Sequence, residues 1–157
     1  MSQQVAKKMK ILPKIFFGAD HGGYGLKQEL IGFVKGMGYD ITDLGTHRSE
    51  RCDYPDVAKT LANAVLKDSN SLGVLVCGTG IGISIAANKV DGIRCALCHD
   101  HYTASMAKKH NNANVLALGG RVLGVEVAKD IMQTYLETQF EGGRHAKRVD
   151  KIMALEK

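Results

Sequence analysis

Residues 72–89 read LGVLVCGTGIGISIAANK. The apolar run 72–76 has the length and β-branched content of a buried strand. The glycine-rich segment Gly78, Thr79, Gly80, Ile81 and Gly82 must then turn into a small-residue helix over 84–88. A strand that ends in such a loop leaves backbone N–H groups unshielded. The helix N-terminus adds partial positive charge, so a phosphate or a developing oxyanion is stabilised there. Cys77 occupies the last position of the strand, facing that pocket. A Walker A loop needs Gly-Lys-Ser/Thr after its glycines, whereas Gly82 is followed by Ile83; the dinucleotide fingerprint needs G-x-G-x-x-G, and this is G-x-G-x-G. From the glycines alone, the loop serves equally as a tight strand-to-helix turn of any α/β protein.

Working outward, strand and helix signals alternate on both sides. A strand at 15–19 ends at Asp20, His21, Gly22 and Gly23, and a helix over 24–37 carries Leu26, Leu30, Phe33, Val34 and Met37 on one face, with Gly38 as its cap. A short strand at 39–42 leads into a polar loop, 43–54, long enough to suggest function, and Pro55 suits the first turn of a helix reaching 67. Further strands are expected at 93–98 and 115–118, separated by a helix over 102–109. Val125, Ala128, Ile131, Met132, Tyr135 and Leu136 then form the stripe of a long helix. Gly142 and Gly143 break it before a basic last helix over 144–155, with Val149, Ile152 and Met153 on one side. Five strands with helical crossovers imply a doubly wound, Rossmann-like parallel sheet in three α/β/α layers. Ligands of such sheets lie beyond the strands' carboxyl ends, where this chain places Asp20, His21, Asp43, Cys77, Thr79, His99, Asp100 and Arg121.

Composition bounds the alternatives. With 157 residues, 45% of them hydrophobic, the chain is one ordinary domain, and 6% aromatics without Trp imply an aliphatic core. Of the net charge of +5, four units lie within residues 1–14, on Lys7, Lys8, Lys10 and Lys14, and one after them; residues 1–13 read as a disordered basic extension and 14–157 as a weakly charged body unsuited to nucleic acid. Neither a secretory signal nor a membrane span is legible, which points to a soluble, cytoplasmic protein with no membrane partner. Cys95 and Cys98 have C-x-x-C spacing but lie on an expected strand, where positions i and i+3 face opposite ways, and no second pair exists. No metal is expected.

A cysteine, a carboxylate, histidines, arginines and a glycine cradle together admit two schemes: a thiolate nucleophile, or a thiolate general base removing a proton α to a carbonyl while loop N–H groups stabilise the enediolate oxygen. The second needs no cofactor.

Gly18-Ala19-Asp20-His21-Gly22-Gly23, Asp53-Tyr54-Pro55, Cys77-Gly78-Thr79-Gly80-Ile81-Gly82 with Ile85-Ala86-Ala87-Asn88-Lys89, His110-Asn111, and Glu141-Gly142-Gly143-Arg144-His145 with Arg148 together resemble the type B ribose-5-phosphate isomerases over residues 14–155. The resemblance implies cofactor-free interconversion of ribose 5-phosphate and ribulose 5-phosphate through an enediolate, a step of the non-oxidative pentose phosphate pathway. It makes Cys77 the base, the 78–82 loop the enediolate cradle, and Thr79 and His110 the groups that assist ring opening. Asp20 and Asn111 would contact the sugar, and His21, Arg121, Arg144, His145 and Arg148 would surround the phosphate. Some members use a glutamate base within the loop; Ile83 at that position marks the cysteine type. The resemblance also implies a homodimer, or a dimer of dimers, in which His110, Asn111, Arg121, Arg144 and Arg148 meet the partner's Cys77 and the C-terminal helix reaches the other subunit. Allose-6-phosphate and galactose-6-phosphate isomerases share these motifs, and a non-catalytic phosphosugar-binding domain could share the fold.

Individual residues also have plainer readings. His99, Asp100 and His101 suit the cap of the next helix, and Arg144 and Arg148, four apart, suit either solvent or a phosphate.

Overall fold

A computed structural model describes residues 11–156. The expected basic extension therefore lies mostly outside the described residues. Strand β3, Ser71–Cys77, is the centre of the sheet, and its residues from Gly73 onward are buried on both faces, which is why the segment reads as a continuous apolar run. Around it lie β1 (Lys14–Ala19), β2 (Ile41–Asp43), β4 (Cys95–Leu97) and β5 (Val115–Gly119), all parallel, in the order β2-β1-β3-β5-β4.

The order dictates which face each helix covers. Right-handed crossovers that move in opposite directions along a parallel sheet lie on opposite faces. The connection β1 to β2 and the return from β4 to β5 run one way, and they place α1 (Tyr24–Gly36) and α4 (His101–Lys109) on one face, joined by α5 (Val125–Glu137). The other face carries α2 (Tyr54–Lys67) and α3 (Ile81–Asn88). Leu30, Val34, Ile131, Met132 and Tyr135 fill the first core against Phe17, Val74 and Leu116; Leu61, Val65, Ile83 and Ala87 fill the second against Leu75, Val115 and Ala117. Tyr135 is wholly buried and donates its hydroxyl to the Ala113 carbonyl at 2.8 Å, so the largest core side chain leaves no polar atom unpaired.

The doubly wound five-stranded fold is the one expected, with three adjustments. Helix α3 begins at Ile81 rather than Ser84, because Gly80, at φ +80°, makes the left-handed turn that starts it. Strand β4 spans three residues, since it lies at the sheet's edge and Ile93 and Arg94 belong to the turn before it. The last helix, α6, is Arg144–Met153 and packs through Val149 and His145; Met153 Sδ accepts from Arg94 Nη1 at 3.3 Å. Asp100 does cap α4, in a reciprocal box with Thr103, and those hydrogen bonds hold its carboxyl below the usual range. No helix among the described residues is long and apolar enough to cross a membrane.

Candidate active site

The loops after β1, β3 and β5 meet at the carboxyl edge, backbone against backbone. The Gly120 N–H donates to the Cys77 carbonyl at 2.8 Å, the Arg121 N–H to the Gly78 carbonyl at 2.9 Å, and the Asp20 N–H to the Val76 carbonyl at 3.2 Å. Only glycine permits this approach: a Cβ on Gly119 would stand 2.6 Å from the Thr79 carbonyl oxygen. Cys77 is consequently almost fully buried, and its Sγ accepts the Gly80 N–H at 3.1 Å. Thr79 Oγ1 accepts the Ile81 N–H at 3.2 Å, which satisfies one orphan donor of α3. The loop proper is thus Gly78–Gly80, while Ile81 and Gly82 form the helix's first turn and aim their N–H groups back toward it.

Asp20 serves the turn as much as the pocket. Its Oδ1 accepts from the Gly22 and Gly23 N–H groups at 2.9 and 3.1 Å, which leaves Oδ2 to meet a ligand. His21 Nδ1 accepts the Cys52 N–H at 3.4 Å. The Arg121 guanidinium lies beside Gly78 of its own chain, within 3.3 Å of where a Cβ would sit. The ring of Tyr54 lies over Gly82, where a Cβ would stand 2.7 Å from its Cζ. The sequence reading gave Tyr54 no role, although its position at the end of the long loop was the available signal.

The remaining expected residues form a second cluster at the opposite edge. Helix α4 runs back from the carboxyl ends, so His110 and Asn111 come just before β5 begins, and the Asn111 and Asn112 carbonyls accept from Arg94 Nε at 3.2 Å, next to the start of β4. The Glu141 N–H donates to the Lys109 carbonyl, which brings the N-terminus of α6 to the same place. There the His110 and His145 rings stack with centroids 4.0 Å apart and planes 11° from parallel. His145 Nε2 lies 3.6 Å from Glu141 Oε2, and Arg144 and Arg148 share the helix. Burial, followed by the nearby His110 and Arg144 charges, lowers the His145 pKa against the opposing pull of Glu141. Cys77 is level with Gly119 and Gly73 with Val115, so the clusters are separated along the strands by at least four residues, about 13 Å at ~3.3 Å each.

His110, Glu141 and His145 present ligand atoms within 4.8 Å of one another. Stacked rings, however, hold their in-plane lone pairs parallel, whereas a tetrahedral ion needs them to converge at about 2 Å. Parallel ring N–H donors beside two guanidinium groups suit the separate oxygens of a phosphate instead. Burial pushes Cys95 up to about 12 and Cys98 to about 11, so both stay thiols at neutral pH, which does not suit a reactive cysteine.

Comparison with known proteins converges on one family. The model of the Ribose/Galactose Isomerase family matches residues 15–152. Ribose-5-phosphate isomerase B of Escherichia coli is 48% identical over 145 residues, 92% of this chain and 97% of its own. D-erythrulose-4-phosphate isomerase of Pectobacterium atrosepticum is 48% identical over 139 residues, 88% and 91% of the two chains. The structure of ribose-5-phosphate isomerase B from Clostridium thermocellum superposes with a TM-score of 0.89 at 53% identity, over 90% of this chain and 96% of the other. With that match spanning nearly the whole sheet and both residue clusters, the chain belongs to the ribose/galactose isomerase family.

Proposed function

We propose that the chain is a cofactor-independent aldose–ketose isomerase that interconverts ribose 5-phosphate and ribulose 5-phosphate, with Cys77 as general base, in a site assembled from two copies of the chain. The observation that carries this reading is the division of the site residues. The thiol and its N–H cradle lie at one edge of the sheet, and the histidine–arginine cluster that suits a phosphate lies at the other. The separation along the strands is long for a five-carbon sugar phosphate to bridge within one chain, which supports taking the second cluster from a partner. Exposed apolar side chains beside the cradle agree: Ile81 and Ile85, one turn apart on α3, are both more than half exposed, as is Val122 after β5.

In the aldose direction His110 of the second copy and Thr79 assist ring opening. Cys77 Sγ takes the proton from C2 as the C1 carbonyl becomes an enediolate oxygen, which the first-turn N–H groups of α3 stabilise. The O2 proton passes to O1, and Sγ returns its proton to C1 to give the ketose. Asp20 Oδ2 and Asn111 hold hydroxyls, while His21, Arg121, Arg144, His145 and Arg148 hold the phosphate.

A second reading concerns sugar length alone. A relative named D-erythrulose-4-phosphate isomerase is as similar as the E. coli ribose-5-phosphate isomerase B, and six-carbon 6-phosphates demand only a deeper pocket. The test is turnover of ribose 5-phosphate, D-erythrulose 4-phosphate and allose 6-phosphate by the purified chain and by Cys77→Ala. Pentose turnover that vanishes in the variant supports the proposal; preference for another sugar keeps the chemistry and changes the substrate. Binding without turnover would overturn it in favour of a phosphosugar-binding domain.

A further inference from the structure

Beneath the Asp20–His21 turn lies a buried cation with no part in the chemistry above. Lys27, on the first turn of α1, is completely buried. Its Nζ donates to Asp43 Oδ1 and Oδ2 at 2.6 and 2.7 Å and to the Thr46 carbonyl at 2.7 Å, so all three ammonium donors are used. Asp43 Oδ1 also accepts the Gly45 N–H at 2.9 Å. The turn held in this way runs beside the last residue of β1: the Ala19 N–H donates to the Gly45 carbonyl at 2.8 Å, and the Ala19 carbonyl accepts the Thr46 N–H at 2.7 Å. Asp20 and His21 come next in the chain. Continuing from the same turn, the loop reaches Cys52, whose N–H is the donor to His21 Nδ1. The backbone under His21 and the group that orients its ring are thus both anchored through Lys27.

A ring nitrogen that accepts a hydrogen bond carries no proton, so the neutral His21 ring bears its proton on Nε2. That tautomer presents a donor to whatever occupies the pocket. We propose that Lys27 is a positioning residue for His21: by clamping residues 43–46 it fixes the ring orientation and the Nε2–H tautomer that a phosphosugar meets. The choice of a buried lysine follows from the geometry, since a shorter or neutral side chain cannot satisfy two carboxylate oxygens and a carbonyl together. The activity arm of the test rests on the isomerase reading; the spectroscopic arm does not.

The test compares full-length chain with Lys27→Met and with Lys27→Met/Asp43→Asn, which removes the stranded carboxylate charge and keeps the protein folded should the single variant fail. Side-chain 15N spectra at a pH where the ring is neutral should show one His21 tautomer, with Nδ1 unprotonated, in the original chain and a tautomer mixture in both variants. The kcat/KM for ribose 5-phosphate should fall by about tenfold or more in both. Iodoacetamide alkylation of Cys77 should stay within about twofold, because the thiol cradle does not rest on this clamp. An unchanged His21 tautomer in a folded variant would overturn the proposal, as would alkylation and thermal stability of the double variant falling together, which is the mark of a merely structural ion pair. Were the original chain to isomerise none of the sugars, the isomerase reading would fail while the spectra still decided the role of Lys27.

Discussion

Gly80→Ala is the substitution on which the geometry of the thiol cradle can be judged. Gly80 adopts φ +80°, where an L-residue costs about 1–2 kcal/mol. A Cβ there would also stand 2.6 Å from Leu97 Cδ1 and 2.8 Å from the Leu118 carbonyl carbon. Leu97 can turn aside, but the backbone of β5 cannot without disturbing the sheet, which adds about 1–3 kcal/mol. The expected loss of about 2–5 kcal/mol lowers Tm by about 4–20 °C in a domain of this size. The same shift draws the Gly80 N–H away from Cys77 Sγ, so kcat should fall by about tenfold or more even well below the new Tm. Gly32→Ala supplies the opposite sign: Gly32 is exposed in the middle of α1 with nothing within 4 Å of its Cβ position, and alanine there should stabilise by about 0.5–1 kcal/mol. Calorimetry and turnover on the two variants decide the matter. A Gly80→Ala protein with unchanged Tm and unchanged kcat would refute both the strain and the role of that N–H.

Two further outcomes follow from the histidine–arginine cluster. Arg148→Ala should raise KM for the phosphosugar by about tenfold with kcat little changed, because a phosphate grip binds substrate and transition state alike; a fall in kcat at constant KM would place Arg148 in the chemistry instead. His145 has a folded-state pKa below its usual 6.5, chiefly through burial, so the unfolded chain takes up this proton more readily. Stability contributed by neutral His145 is therefore present above about pH 6.5 and declines as pH falls from there toward the lowered value. Between pH 7.5 and 5.5 the Tm of the original chain should drop more than that of His145→Gln, and equal slopes would contradict the assignment.

Much of the architecture was legible because the relevant signals are local. The run through 72–76, the glycine cap at Gly38 and the Asp100–Thr103 box each declare themselves within a few residues, and the structure places a strand, a helix end and a helix start there. The residues after each strand end were correctly assigned to one edge, since that follows from parallel connectivity alone. Other features depend on distant partners. Helix α3 starts earlier than expected because Gly82 lowers helix propensity locally, while the turn at Gly80 and the packing of Ile83 override it. Nothing near Lys27 in the sequence marks it for burial, and only the approach of Asp43, sixteen residues on, makes that burial tolerable. The stacking of His110 on His145, 35 positions apart, has no local signature, and neither does the return of β4 to the outer edge.

The claim that one site needs two chains is tested most directly by mixing inactive variants. Cys77→Ala supplies an intact histidine–arginine cluster, and His110→Ala/Arg144→Ala supplies an intact thiol cradle. If the site spans two copies, each hybrid pair regains one complete site, and after subunit exchange an equimolar mixture should recover about a quarter of the original activity. If both clusters served the same chain, every site in every pairing would remain broken, and a mixture as inactive as its components, with subunit exchange demonstrated, would contradict the account.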